Sequence, residues 1–413
     1  MIKTRCFIRS KNIRIVRLKE ISQLLFHLLS LGCMAGLYIH IPFCKQACYY
    51  CDFHFSTNQN NKTELIKHLV DELAIQKDYL GGESLETIYL GGGTPSLLTP
   101  AEIELIFATI KKNYPVFENP EITLEANPDD LNPTTLAYFH KAGVNRLSIG
   151  IQSFDDTVLK YLNRAHTGTD ALNCIPLAHD AGIKNISIDL IFAIPNQDND
   201  LLKKNLEIVT RLKPTHVSAY SLTVEEKTVF GRWAKQGKLL AMDESQAAIQ
   251  FDLVMDFLHD AGYHQYEISN YCLPGHESKH NTSYWQQKKY LGVGPSAHSY
   301  DGISRQFNVN NNALYSKALQ EGRIPFEREV LTPENKINEY IFTSLRTSLG
   351  CDLGYLTRHF EYDLRTQNDR YLNQLSTKNI ITIDKGKIHL TRSGKLLADR
   401  IAADLFVGEK SES

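Results

Sequence analysis

The sequence predicts an α/β protein built from a partial (β/α)6 barrel and a smaller C-terminal α+β domain that is winged-helix-like. Three observations predict this fold. From Gly36 to about Glu225, six short runs rich in β-branched and aromatic residues alternate with segments of helical periodicity. Consecutive βα units of this kind form parallel strands joined by right-handed crossovers. Beyond about Pro333, helical patterns precede a hairpin-like pair of short runs.

The individual elements of the barrel follow from these patterns. The strand candidates are residues 37–41, 87–90, 122–125, 146–151, 186–191 and 216–222. Helical periodicity covers residues 63–80, 100–112, 133–142, 169–181, 198–212 and 244–262. Thr99, Pro100 and Glu102 form a capping box with proline at the first helical position, which marks the start of the second helix.

The predicted domain boundaries follow the changes in pattern. We expect an N-terminal extension at residues 1–33, the barrel at 34–265, a less regular connecting segment at 266–325, the winged-helix-like domain at 326–405 and a tail at 406–413. In the C-terminal domain, helical patterns cover 334–347, 364–376 and 393–405, and a hairpin pairs 380–383 with 387–390. Charges around Arg365, Asp369 and Arg370 are mixed, which favours a structural or docking role over nucleic-acid binding.

Composition excludes several classes of function. The chain has 413 residues, of which 42% are hydrophobic and 22% charged, and its net charge is −2 from 45 basic and 47 acidic residues. This balance gives no overall electrostatic attraction to nucleic acid or to an anionic membrane. Three of the 8 cysteines crowd into one short segment and the others are scattered, which is unlike a secreted disulfide scaffold. The pattern predicts a protein of the reducing cytoplasm.

The first 33 residues differ from the rest of the chain. They are basic at first and then apolar between Ile21 and Leu31, a stretch that is too short to span a bilayer, so we expect no integral membrane protein. A self-sufficient domain begins at Met34. We therefore expect residues 1–33 to be an appended segment or a wrongly assigned start, and to be poorly ordered.

Cys44, Cys48 and Cys51 follow the first predicted strand in the spacing Cys-x3-Cys-x2-Cys. Three thiolates on such a loop can bind three irons of a [4Fe–4S] cluster and leave the fourth iron open to a small molecule. A zinc knuckle that recruits His40 or His54 as a fourth ligand is the main alternative. A disulfide would leave one of the three cysteines over.

Polar or flexible residues stand at the ends of the later strands. The run Gly91-Gly92-Gly93-Thr94 follows the second strand, where it is either a tight turn or a loop that lets a ligand approach the backbone. Five polar residues accompany the later strands, namely Glu125, Gln152, Arg164, Asp189 and Ser221. A single polar residue mostly caps a helix or forms a salt bridge. The recurrence of such residues at successive strand ends, however, predicts a site at the barrel mouth.

The cysteine motif resembles that of the radical S-adenosylmethionine superfamily. Its context from Gly36 to Cys44 resembles the branch that holds oxygen-independent coproporphyrinogen III oxidase and the HemW-type haem chaperones. The resemblance implies a radical SAM barrel whose open iron takes the amino-carboxylate of S-adenosylmethionine, with Gly92 near this molecule and Gly93 and Thr94 near a second nucleotide site. It further implies contacts with S-adenosylmethionine for Tyr38, Tyr50, Glu125, Gln152, Arg164, Asp189 and Ser221.

Three features separate the two branches. Phe53 stands where the oxidases have a fourth cysteine, no counterpart of the oxidase's N-terminal arm precedes Leu37, and residues 280–285 match the HNxxYW motif of the HemW-type proteins. The resemblance therefore implies a haem chaperone that passes haem to an acceptor, such as a respiratory-chain protein, and takes electrons from a donor such as flavodoxin or ferredoxin. His280 and Tyr284 are candidate haem ligands, or they pack under the barrel. A coproporphyrinogen III oxidase and a zinc-structured interaction module are the alternative functions.

One departure from the relatives' pattern is Ala193-Ile194-Pro195 after the fifth strand, where the family usually has Gly-Leu-Pro. Alanine there should only stiffen the turn, provided that φ stays negative.

Overall fold

The computed structural model describes residues 34–195, 197–239 and 242–408. The expectations for residues 1–33 and for the end of the tail, residues 409–413, lie outside the described residues. In the described part of the chain, none of the helices combines the length and the hydrophobicity that crossing a membrane requires.

Six parallel strands lie side by side in chain order within a twelve-stranded sheet. They are β1 (Met34–Ile41), β2 (Ser84–Gly92), β3 (Val116–Ala126), β4 (Arg146–Gln152), β5 (Asn185–Phe192) and β6 (His216–Ser221). Every neighbouring pair is parallel, so the carboxyl ends of all six strands lie at one edge of the sheet. The predicted radical SAM type of α/β fold is confirmed.

The helices that connect or follow these strands agree closely with the periodicity of the sequence. They are α1 (Lys62–Ile75), α2 (Pro100–Asn113), α3 (Pro133–Ala142), α4 (Asp156–Tyr161), α5 (Gly168–Asp180), α6 (Asn199–Leu212), α7 (Val229–Lys235) and α8 (Glu244–Asp260). The capping box at the start of α2 is present, since the Thr99 N–H donates to the Glu102 carboxylate at 2.8 Å and the Glu102 N–H donates to the Thr99 hydroxyl. The short helices α4 and α7 were not predicted.

The segment between the barrel and the C-terminal domain, together with one strand just outside each of the predicted bounds 266–325, extends the sheet at both edges. This part of the chain forms β7 (His264–Gln265), β8 (Asn270–Cys272), β9 (Tyr290–Val293), β10 (His298–Tyr300), β11 (Ser304–Asn308) and β12 (Phe326–Val330), with helices α9 (Lys279–Trp285) and α10 (Asn312–Gln320). β8 pairs antiparallel with β6, whereas β9 pairs parallel with β1 and leads to β10, β11 and β12. The strands are too short for an alternating pattern to reveal them in the sequence.

A buried carboxylate joins this extension to the barrel. Glu72 of α1 is fully buried, and burial raises its pKa. It accepts hydrogen bonds from the Tyr315 hydroxyl at 2.5 Å, the Gly294 N–H at 2.8 Å and the Asn308 side chain at 2.7 Å. Because a buried acceptor is costly to leave unpaired, these bonds hold the loop after β9 against the barrel.

The C-terminal domain has a hydrophobic core of its own, to which Ile341, Leu356, Leu372 and Ile388 contribute. Its elements are α11 (Pro333–Leu345), β13 (Cys351–Asp352), α12 (Leu353–Phe360), α13 (Leu364–Gln367), α14 (Asp369–Thr377), β14 (Ile381–Asp384), β15 (Lys387–Leu390), α15 (Arg392–Lys395) and α16 (Ala398–Asp404). Helices precede a small antiparallel hairpin, as the winged-helix pattern predicts.

Candidate functional site

The three cysteines lie on the loop that follows β1, at the carboxyl edge of the sheet. All three are partly buried, and none forms a disulfide. The loop is held at the start and in the middle of the motif, because the Cys44 N–H donates to the Ser56 carbonyl at 3.1 Å and the Asn163 side chain donates to the Ala47 carbonyl at 2.7 Å. The sulfurs are therefore presented by a loop whose backbone is bonded to its surroundings.

The surroundings of this loop argue against a zinc knuckle. Both ring nitrogens of His40 are occupied, by the Tyr38 hydroxyl at 3.0 Å and by the His54 carbonyl at 2.9 Å. The Nε2 atom of His54 bonds to Asn312 at 2.7 Å. The three sulfurs are not all within 4.8 Å of one another, whereas the ligands of one tetrahedral zinc ion are about 3.8 Å apart or less. Three thiolates that are spread in this way fit a cluster in which each cysteine binds its own iron.

Arg164 supplies positive charge to the cysteine loop. Its Nη1 atom donates to the Cys48 sulfur at 3.2 Å and lies 3.4 Å from the Tyr50 hydroxyl. Its Nη2 atom donates to the Gly150 carbonyl at 2.7 Å. Burial raises the pKa of Cys44 to about 11 and that of Cys51 to about 12, so thiolates at this loop need a nearby cation or a metal.

The glycine run packs directly on the cysteine loop. Gly92 has a φ of 105°, and a Cβ atom on it would lie 2.5 Å from the His40 ring. The Gly93 N–H donates to the Ile41 carbonyl at 2.9 Å, and a Cβ there would lie 2.7 Å from the same oxygen. Glycine is needed at both positions, because a Cβ would collide with the His40 ring at Gly92 and with the backbone of Ile41 and Phe43 at Gly93. The space beside Gly92 is filled by a histidine, which the sequence did not suggest.

Two half-buried carboxylates, Glu125 on β3 and Asp189 on β5, lie on the strands that lead to the barrel mouth. Glu125 accepts hydrogen bonds from the Tyr89 hydroxyl at 2.7 Å and from the Gly92 N–H at 3.0 Å. Burial, together with the charge of Asp189, raises the pKa of Glu125 to about 7. Burial also raises the pKa of Asp189 to about 6. Near neutral pH, Glu125 is therefore poised to gain or lose a proton when a charged ligand binds.

The other predicted residues lie at the same edge of the sheet. Tyr38 and Tyr50 are half-buried, and desolvation raises the pKa of both phenols. Gln152 ends β4 with a φ of 65° and is buried, whereas Ser221 ends β6 and is exposed. Thr94 accepts a hydrogen bond from the Asn127 side chain at 3.3 Å. Their binding of S-adenosylmethionine stays a prediction.

His280 and Tyr284 lie on α9, packed against β2. The Nδ1 atom of His280 bonds to the Thr87 hydroxyl at 2.7 Å and its Nε2 atom bonds to the Tyr284 hydroxyl at 2.8 Å. The residue is 1% exposed, and burial lowers its pKa to about 3, so the ring is neutral. In this arrangement both nitrogens are occupied, and Nε2 can bind iron only after its bond to Tyr284 is broken.

A cavity of about 480 Å³ opens between the cysteine loop, α9 and α11. Aromatic side chains form much of its wall, namely Tyr38, Phe53, Tyr284, Trp285, Tyr290 and Tyr300. The polar groups of the wall include the cations Lys288 and Arg305 and the imidazole of His298, three residues that the sequence patterns do not predict. Only the run Tyr290–His298 directly after HNxxYW could have drawn attention to His298.

The turn after β5 differs from the expectation. Ala193 has a φ of 56°, so the condition that φ stays negative is not met. The Ala193 N–H donates to the Gln250 side chain at 2.7 Å, and the residue is buried. The turn therefore keeps the backbone conformation that suits glycine, at a cost of about 1–2 kcal/mol for an L-residue.

Comparison with known proteins identifies the superfamily and the fold. Residues 38–208 match the Radical SAM superfamily. Coproporphyrinogen III oxidase (HemN) from Escherichia coli has the same fold, with a TM-score of 0.79 and 22% sequence identity over 91% of this chain and 90% of that chain.

Curated relatives define the family more narrowly. Heme chaperone HemW of Bacillus subtilis (strain 168) is 35% identical over 379 residues, which are 91% of this chain and 100% of the relative. Heme chaperone HemW of Lactococcus lactis subsp. lactis (strain IL1403) is 35% identical over 367 residues, which are 88% of this chain and 95% of the relative. The chain thus belongs to the radical SAM superfamily and, within it, to the HemW family.

Proposed function

We propose that this chain is a cytoplasmic haem chaperone that holds a [4Fe–4S] cluster on Cys44, Cys48 and Cys51, binds S-adenosylmethionine beside it, and passes haem to an acceptor protein. The names of the relatives support haem as the cargo. The observation that carries the proposal in this chain is the aromatic cavity, because it joins the cysteine loop to the helix with the HNxxYW residues.

The roles of the residues at the cysteine loop follow from their charges and bonds. A bound cluster would supply one electron to the sulfonium group of S-adenosylmethionine. Arg164 would offset the negative charge of the Cys48 thiolate. Glu125 and Asp189 would accept hydrogen bonds from the amino group or the ribose hydroxyls of S-adenosylmethionine, since the two carboxylates lie close enough for the charge of Asp189 to raise the pKa of Glu125. The electron would come from a small donor such as flavodoxin or ferredoxin.

The cavity suits haem in shape and chemistry. Aromatic walls can stack on a porphyrin, and Lys288 and Arg305 can pair with its propionates in place of Glu86 and Glu339. His280 or Tyr284 would bind the iron after their mutual hydrogen bond opens. His298 offers an imidazole that lines the cavity directly, with no hydrogen-bond partner among the described residues, whereas His280 lies behind Tyr284. His280, Tyr284 and His298 are thus the three candidate ligands of the haem iron.

The test is an anaerobic haem titration of the cluster-loaded protein. We expect the wild type to bind one haem per chain. The variants are His280→Ala, Tyr284→Phe and His298→Ala, and the one that lacks the iron ligand should show a shifted Soret band. His359→Ala is the control, because His359 is exposed and does not line the cavity. Unchanged haem spectra in all three variants would contradict the cavity as the haem site.

The fold likeness to coproporphyrinogen III oxidase favours one second candidate, oxidative decarboxylation of coproporphyrinogen III. The same cluster-loaded protein, incubated anaerobically with this substrate, S-adenosylmethionine and a reductant, separates the two functions. Formation of protoporphyrinogen would overturn the chaperone proposal. Retention of haem without turnover, followed by its transfer to an apo-haemoprotein, would support it.

A further inference from the structure

A second group of metal-ligating side chains lies at the far edge of the central sheet. His264 of β7 and Cys272 of β8 are direct cross-strand partners in the last hairpin of the sheet. Glu277 follows in the loop after β8. In the described part of the chain, these three residues are the one group of three or more His, Cys, Asp or Glu side chains whose ligand atoms all lie within 4.8 Å of one another.

The distances within this group are close to those around a bound ion. The His264 Nε2 atom lies 2.8 Å from a Glu277 carboxylate oxygen and 3.3 Å from the Cys272 sulfur. Nitrogen, sulfur and oxygen ligands of tetrahedral zinc lie about 3.3–3.8 Å apart, so an outward shift of less than about 1 Å would admit the ion. The His264 and Glu277 side chains are 44% and 40% exposed and can make this shift, whereas the buried Cys272 anchors the site.

We propose that His264, Cys272 and Glu277 bind a divalent metal ion, zinc by the chemistry of the ligands. Imidazole, thiolate and carboxylate are the three ligand types of protein zinc sites. The Cys272 thiol loses its proton to solvent on binding. A water molecule completes the coordination, because the half-exposed His264 and Glu277 leave one side of the group open to solvent.

This site is separate from the cysteine loop. Cys272 pairs with His216, the first residue of β6, so the group lies at the amino edge of the parallel strands, opposite the barrel mouth. Glu277 directly precedes Ser278, whose side chain caps α9. A metal ion there would fix the start of the helix that carries His280 and Tyr284. Metal binding would in this way affect the wall of the cavity.

Calorimetric titration of Zn²⁺ into the full-length, cluster-loaded protein tests the site, because the cluster already occupies the Cys44, Cys48 and Cys51 ligands. We expect one equivalent of Zn²⁺ that survives buffer exchange. Cys272→Ser and Glu277→Gln should each weaken binding by more than the ~10–100-fold that loss of an outer-shell partner costs. Metal analysis of the exchanged protein gives an independent stoichiometry.

Cys174→Ser is the matched control, since Cys174 is also a buried free cysteine but has no His or Glu partner in a ligand group. It should bind Zn²⁺ like the wild type. Glu277 is half-exposed, so Glu277→Gln keeps the test valid even if the buried Cys272→Ser variant folds poorly. Absence of zinc binding, or binding that Glu277→Gln leaves unchanged, would show that the three residues form only a hydrogen-bonded group.

Discussion

Arg164 donates a hydrogen bond to the sulfur of Cys48 at 3.2 Å, although 116 residues separate them in the chain. The same guanidinium donates to the Asn127 side chain at 2.6 Å and to the Gly150 carbonyl at 2.7 Å. Arg164 therefore connects the cysteine loop to the ends of β3 and β4. A cation held in this way lowers the cost of placing thiolates in a partly buried loop.

We predict that Arg164→Gln lowers the content of iron and sulfide in the reconstituted protein and makes the midpoint potential of the cluster more negative. Net charge and hydrogen bonds to sulfur set the potential of such clusters, and the variant removes a positive charge and weakens a bond to Cys48. Potentiometry with iron and sulfide analysis provides the measurement. Arg358→Gln, at an exposed arginine of the C-terminal domain, should leave both unchanged. A wild-type potential in Arg164→Gln would refute this role.

Gly92 gives a prediction with an internal control. Gly92→Ala should reduce stability by about 2–4 kcal/mol, because the new Cβ meets the His40 ring at 2.5 Å in addition to the cost of a positive φ. Gly386→Ala has a comparable φ of 77° and open space around the Cβ, so it should cost only about 1–2 kcal/mol. Denaturant unfolding of the two apo proteins measures the difference. Equal losses would mean that contact with His40 is unimportant.

The local signals in the sequence predicted the barrel and its cysteine loop correctly. The six parallel strands and the capping box at Thr99 depend on neighbouring residues, and local patterns report them well. The positions of Glu125 and Arg164 near the loop follow from the same alternation, because parallel strands bring their carboxyl ends together. What these residues bind stays a prediction.

Contacts between distant parts of the chain account for what was not predicted. Strands β9 to β12 pair with one another or with β1 over short lengths, and the buried Glu72 that anchors them has partners on three later segments. The cavity needs Phe53, Arg305 and α11 to come together in three dimensions. Such contacts leave no periodic signal in a single sequence.

A buried histidine makes stability depend on pH. His166 is 3% exposed and its Nε2–H donates to the Ile151 carbonyl at 3.0 Å. Burial and the charge of Arg164 lower its pKa to about 4, whereas an unfolded histidine titrates near 6.5. Between pH 4 and pH 6.5, His166 in the unfolded chain binds a proton that the folded His166 does not bind. Stability from this group is therefore complete above about pH 6.5 and is lost as the pH falls towards 4, by about 1.4 kcal/mol per pH unit.

We predict that His166→Gln makes the free energy of unfolding less dependent on pH between about 6.5 and 4, by about one proton. Urea unfolding across this range measures the slope. Other buried histidines, such as His40, add to the slope of the wild type, so the variant reduces it without abolishing it. An unchanged slope in His166→Gln would mean that His166 is protonated alike in both states.

The last prediction concerns the strained turn after β5. Ala193 has a φ of 56°, and its N–H is bonded to Gln250, a partner 57 residues away that local sequence does not reveal. Ala193→Gly should therefore stabilise the protein by about 0.5–1 kcal/mol, since relief of the left-handed strain exceeds the entropy that glycine adds to the unfolded chain. Thermal unfolding of the apo protein measures the change. Ala178→Gly, inside helix α5, should have the opposite sign, because glycine is unfavourable in a helix interior and the buried methyl group is lost. If both variants lose stability, then packing of the Ala193 methyl group outweighs the backbone strain, and the alanine is there for its contacts.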